Sequence, residues 1–148
     1  MHPMSEPISD PAILDITTTI LHYYPAVQGI YLFGSYGTEH EWPNSDVDLA
    51  LLFPFPQAIE LKMLSFSPCK FALSDRLGRE VDLVNIRQVS TVFQNEIINS
   101  GRLINTGDPE AIGAFEMLVL SAYQKLNEER KEILRSEEHT SELQSPYV

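Results

Sequence analysis

The segment Asp46-Val47-Asp48-Leu49-Ala50-Leu51-Leu52-Phe53 places two carboxylates two residues apart at the head of an otherwise apolar run. Side chains alternate along an extended strand, so Asp46 and Asp48 leave one face while Val47, Leu49 and Leu51 leave the other, toward a core. Pro54 and Pro56 close the strand. The pattern recurs in a strand expected over Glu80 to Ile86, where Asp82 stands between Val81 and Leu83. If the two strands are neighbours, three carboxylates converge on one sheet face. Like charges that close repel unless cations neutralise them. A cluster of hard oxygen donors suits Mg²⁺, which keeps waters and substrate phosphates in its shell. Two such ions, about 3.5–4 Å apart, clamp the attacking and leaving oxygens of an in-line phosphoryl displacement.

A second feature complements the acidic one. Val27 to Phe33 is a continuous apolar run rich in β-branched and aromatic residues, which reads as a buried strand, and Gly34-Ser35 breaks it. Gly34 lets backbone approach a ligand closely, and Ser35 heads a short helical stretch, Tyr36 to Glu41, whose free N–H groups favour phosphate. Trp42-Pro43-Asn44-Ser45 is turn chemistry that returns the chain to Asp46. An Asp-x-Asp or a Gly-Ser taken alone is commonplace. Strand, Gly-Ser, spacer, Asp-x-Asp on a strand and a lone Asp on a later strand together specify a phosphate-handling site.

The remaining chain supplies a scaffold. Pro11 to Tyr23 carries Ile13, Leu14, Ile16, Ile20 and Leu21 at helical spacing, with Asp10 as N-cap. Ala58 to Leu77 reads as mostly helical with an interruption at Pro68, and Gly78 as its C-cap. Val89 to Ser100 reads as a helix facing Val92, Phe93, Ile97 and Ile98 inward, and Leu103 to Asn105 as a short extended piece. A last long helix lies in Pro109 to Leu134, with Phe115, Leu118, Ala122, Leu126 and Ile133 on one stripe. Alternating helices and strands give an α+β class with α/β-like order, a single domain over residues 1–135 built on a small mixed sheet flanked by helices. Ser136 to Val148 has no apolar period and resembles the translation of a sequencing-library adapter fused in frame. It is expected to be a non-native or disordered tail.

Charge narrows the partners. The chain holds 10 basic and 21 acidic residues, a formal net charge of −11. Such acidity disfavours a broad nucleic-acid surface and suits metal cations or a basic protein partner. The apolar runs are too short to span a membrane, no signal segment opens the chain, and the lone Cys69 has no internal disulfide partner, which together fit the cytoplasm. The histidines His2, His22, His40 and His139 show no metal-ligand spacing.

Read as a whole, Gly34 to Phe53 (GSYGTEHEWPNSDVDLALLF) followed by Leu77 to Ile86 (LGREVDLVNI) resembles the DNA-polymerase-β-like nucleotidyltransferase superfamily. More narrowly, the compact chain looks like the minimal nucleotidyltransferase antitoxins of HEPN/MNT toxin–antitoxin pairs. The resemblance implies that Ser35 holds a triphosphate, that Gly34 gives it room, and that Asp46 and Asp48 ligate two Mg²⁺ ions. Asp82 would complete one metal site and help deprotonate the acceptor hydroxyl. It further implies ATP as substrate, AMP as the transferred group and a tyrosine of a HEPN-family ribonuclease toxin as acceptor. Two alternatives remain: a small-molecule nucleotidyltransferase like the aminoglycoside-modifying relatives, and an antitoxin that neutralises by binding alone. One departure stands out. Many relatives carry an arginine soon after Gly-Ser, whereas Tyr36-Gly37-Thr38-Glu39-His40 has none, leaving Lys70, Arg76, Arg79 and Arg87 as candidates for that contact.

Overall fold

The computed structural model describes residues 11–34 and 46–143. In chain order the elements are α1 (Pro11–Tyr23), β1 (Gly29–Phe33), β2 (Val47–Leu52), α2 (Phe55–Glu60), α3 (Pro68–Leu77), β3 (Val81–Asn85), α4 (Thr91–Ser100), β4 (Arg102–Asn105) and α5 (Pro109–Leu143). Short 3₁₀ turns at Leu64–Phe66 and Ile86–Gln88 join them. The strands form one sheet in the order β3-β2-β1-β4. β1 runs antiparallel to both β2 and β4, while β2 and β3 are parallel. The sheet is therefore mixed, as the alternation of elements implies. Its one parallel pair needs a crossover, which α2, a 3₁₀ turn and α3 provide.

Both faces of the sheet are covered, and β2 lies at the centre of each layer. Val47, Leu49 and Leu51 pack with Ile30, Leu32, Val81 and Leu83 against α1 and α3, where Ile13, Ile16, Ile20 and Leu73 are buried. Ala50 and Leu52 face the other way and join Tyr31, Ile86 and residues of α4 and α5. Burial on both sides explains why the strand reads as a continuous apolar run after Asp48. Among the described residues, the head of β2 is its least covered part on the α4/α5 side: Asp48 is half-buried, and Asp46 just ahead of it is exposed.

Several local expectations change in detail. Pro68 does not interrupt a helix; it opens α3, where the Ser67 Oγ accepts from the Lys70 N–H at 3.2 Å. Proline is tolerated in a first turn because its missing N–H has no helical partner there. Gly78 ends α3 in the left-handed conformation, φ 64, and donates its N–H to Ser74 O. In α4, Ile97 and Ile98 turn inward but Val92 is exposed.

Of the stripe expected along α5, Phe115 is buried and Leu126 partly so. Leu118 and Ile133 are 59% and 57% exposed, and the residues facing the body are Ile112, Phe115 and Val119. The tyrosine hydroxyl of the fully buried Tyr31 donates to Glu116 Oε2 at 2.7 Å, fixing this first part of the helix to β1. From Glu128 to Ser136 every side chain is exposed, and the helical backbone runs on to Leu143.

These contacts separate two truncations. Leu49→Ala, at a fully buried position between α1, α3 and the sheet, should lower unfolding free energy by about 2–5 kcal/mol in denaturant titration. Deleting residues 136–148 should leave the midpoint unchanged.

Candidate functional site

The β2–β3 register sets the site. Asp48 pairs directly with Asp82, and on the other side Phe33, the last residue of β1, pairs with Asp48. Cross-strand partners project from the same face, so Phe33, Asp48 and Asp82 form one row over three strands. Asp46 lies two residues ahead of Asp48, immediately before β2, and is exposed. The three carboxylates singled out in the sequence are thus brought to one rim of the open face. Asp82 is exposed and Asp48 half-buried.

Crowding is visible in the protonation of Asp48. Its pKa is raised from the ordinary carboxylate value, first by burial, then by the charges of Asp82 and Asp46. Phe33 contributes to the burial, its ring lying edge-to-face on Phe93 of α4 with centroids 5.8 Å apart. A folded-state pKa above the unfolded one means that the folded chain holds the proton more tightly. The associated stability is present below the unfolded pKa and lost as pH rises through the raised value. At neutral pH the cation-free site therefore carries a repulsion that unfolding relieves.

Gly34 follows Phe33 with φ 78, a left-handed conformation that glycine adopts without strain. A Cβ at this position would overlap the Asp48 Oδ2. The glycine is thus required twice, by its backbone and by the carboxylate beside it. Space for phosphates was the reason legible in the sequence; the overlap with Asp48 adds a second. Ser35, together with Tyr36 to Glu41, His40 and Trp42, lies outside the described residues.

The donor set fits a hard divalent cation. Among the described residues, no three His, Cys, Asp or Glu side chains are gathered closely enough to enclose an ion unaided. Mg²⁺ binds through one or two carboxylates plus substrate phosphates more readily than in an all-protein cage, and Asp48 and Asp82, paired across β2 and β3, supply two.

All four basic candidates make interactions within the chain. Lys70 Nζ bonds Glu80 Oε1 at 2.7 Å. Arg76 pairs with Asp15 of α1 at 3.1 Å. Arg87 lies beyond the opposite end of β3 from Asp82, donating to Phe53 O at 2.5 Å and to Gln28 Oε1 at 3.1 Å. It cannot reach a phosphate held at Gly34. Arg79, half-buried ahead of β3, stands nearest to Asp82 along the chain.

Sequence comparison agrees with this geometry. Residues 16–110 match the family model described as polymerase beta, nucleotidyltransferase. The chain belongs to that nucleotidyltransferase family. It is 36% identical over 112 residues to protein adenylyltransferase MntA of Shewanella oneidensis, covering 74% of this chain and 76% of that one. Among solved structures, a toxin–antitoxin complex with AMP-PNP contains a chain that superposes with a TM-score of 0.65 at 28% identity, over 84% of this chain and 96% of that one. A tri-AMPylated Shewanella oneidensis HEPN toxin in complex with its MNT antitoxin gives a TM-score of 0.61 at 28% identity, over 84% and 94%.

Two outcomes test the site without any assay of turnover. With chelator at neutral pH, Asp48→Asn should melt higher than the wild type, and its stability should vary less with pH on acidification, because the group whose pKa is raised has gone. Gly34→Ala should destabilise by about 1–2 kcal/mol from the left-handed backbone alone, measured by thermal denaturation, and more if the Asp48 side chain cannot move aside.

Proposed function

We propose that this chain is the antitoxin of a HEPN/MNT pair, an adenylyltransferase that moves AMP from ATP to a tyrosine of its HEPN-family ribonuclease toxin and so inactivates it. The observation that carries the proposal is the Phe33–Asp48–Asp82 row with Asp46 beside it. The protein adenylyltransferase MntA, to which the chain is similar, and the AMPylated HEPN toxin of the solved complex support the choice of group and acceptor.

In this reading Gly34 gives the triphosphate room and Ser35 holds it. Asp46, Asp48 and Asp82 hold two Mg²⁺ ions, which when bound supply charge neutralisation for the phosphates and the developing oxyanions. Asp82, at the exposed end of the row, accepts the proton of the tyrosine hydroxyl. The phenolate oxygen forms a bond to the α-phosphorus as the bond from that phosphorus to the bridging oxygen breaks, and pyrophosphate leaves in line.

The alternatives differ in the acceptor. A small-molecule enzyme needs further elements to hold one, and from Glu128 to Ser136 every side chain of α5 is exposed. A pure binder has no physical use for adjacent carboxylates that destabilise the metal-free chain. Among the described residues no helix is long and apolar enough to cross a membrane, and a toxin and ATP shared with the chain would place it in the cytoplasm.

Incubating the protein with Mg²⁺, each nucleoside triphosphate in turn and the candidate HEPN-family partner, then weighing both proteins intact, tests the assignment. One or more adenylyl additions on the partner with ATP, absent with Asp48→Asn, are expected. An unmodified partner alongside full neutralisation would favour the binding-only alternative.

A further inference from the structure

Arg87 is unusual in a chain of such negative charge, because among the described residues no carboxylate pairs with it. Its partners are all neutral: Nε donates to Phe53 O and Nη2 to Gln28 Oε1. The guanidinium also stacks on two rings, 4.1 Å from the Phe55 centroid and 5.4 Å from that of Phe115. A guanidinium has five N–H donors in a fixed fork; two are used here, and among the described residues the others have no hydrogen-bond acceptor. None of its nitrogens is among the buried unpartnered atoms, so the remaining donors are open to a ligand.

They open into a cavity. A pocket of about 190 Å³ is lined by Arg87 with Phe55, Thr91, Gln94, Phe115 and Leu118, among others. Two of its walls, Phe55 and Leu118, are each 59% exposed. The exposed Leu118 is the residue that the helical spacing of α5 had assigned to the core. The pocket opens on the α4/α5 side of the sheet, the side that carries the carboxylate row, but toward the other end. From Asp82 to Ile86 the chain advances four residues, on the order of 13 Å at ordinary strand rise. A nucleotide bound at the row does not fill both places, whereas a protein acceptor spans that distance readily.

We propose that this pocket is an anchoring site for the protein acceptor, in which Arg87 receives a carboxylate side chain of the partner while Phe55 and Leu118 pack on the apolar surface around it. The proposal rests on the protein-acceptor reading above and adds where that acceptor is held. The occupant follows from the chemistry. A fixed guanidinium fork between two rings is preorganised for a planar oxyanion. The apolar rim selects one borne on a protein surface over a free hydrated anion, and the small volume admits a single side chain. Fixing the partner here shortens the search of its tyrosine for the row, which is an effect on binding and not on the chemical step.

Steady-state transfer to the HEPN-family partner, measured with wild type, Leu118→Gln and Leu118→Glu, tests it. Leu118 is exposed, so both variants should fold, which melting curves check. The glutamate offers Arg87 a carboxylate from its own chain and excludes the partner's. The expected result is a KM for the partner raised about tenfold in Leu118→Glu, a smaller change in Leu118→Gln, and kcat and the KM for ATP unaltered in both. Equal KM values in the two variants would remove the charge from the account and overturn the proposal. So would saturable binding of inorganic phosphate at micromolar concentration, lost in Arg87→Lys, because the pocket would then be a small-anion site. A wild type that modifies no partner protein would overturn the acceptor reading and the anchor with it, whereas failure of the anchor alone leaves wild-type transfer intact.

Discussion

Parallel pairing of β2 with β3 puts Asp48 beside Asp82, and side-chain rotation can separate the two carboxylates only partly, because neighbouring strands lie about 4.8 Å apart. Asp46 adds a third charge just ahead of the strand. The register is not free to relax. Shifting β3 by one residue would turn Val81 and Leu83 out of the core and bury Asp82. The apolar contacts that hold β2 between two helical layers therefore also hold the charges together.

The placement of burial reflects this conflict. β2 is packed on both faces from Leu49 onward, and among the described residues Asp48 is the one position in the strand that is not fully buried. Phe33 fills the side of the row away from Asp82, with Phe93 against it, and dries Asp48 without enclosing it. Gly34 completes the arrangement, since any side chain there would meet the Asp48 carboxylate where it now lies and would need a left-handed backbone. Stability is thus drawn from the far part of the sheet and spent at its rim, a distribution common to sites held on rigid elements.

Much of this was legible in the sequence, and the reasons differ from element to element. α1 matched its expected bounds because its apolar spacing and Pro25 leave little freedom. The carboxylate face followed from strand alternation, which tolerates no ambiguity of side once the strand is identified. Three things were not legible. Adjacency of β2 and β3 depends on the crossover, and spacing along the chain says nothing of which strands pair. The inner face of α5 differs from its apolar spacing because Leu118 and Ile133 are apolar yet exposed: the buried apolar residues of the helix are Ile112, Phe115 and Val119, and periodicity cannot tell a core stripe from an exposed one. Arg87 was weighed only as a phosphate contact, since its stacking between Phe55 and Phe115 joins residues distant in sequence.

The account stands on the carboxylate row as a place for cations that arrive with the nucleotide. Calorimetric titration of Mn²⁺ into the protein, with and without a non-hydrolysable ATP analogue, measures that most directly. Weak binding to the free chain, two ions per chain with the analogue present, and loss of at least one in Asp48→Ala are the predicted results. Equal stoichiometry and affinity in wild type and Asp48→Ala with the analogue bound would contradict it.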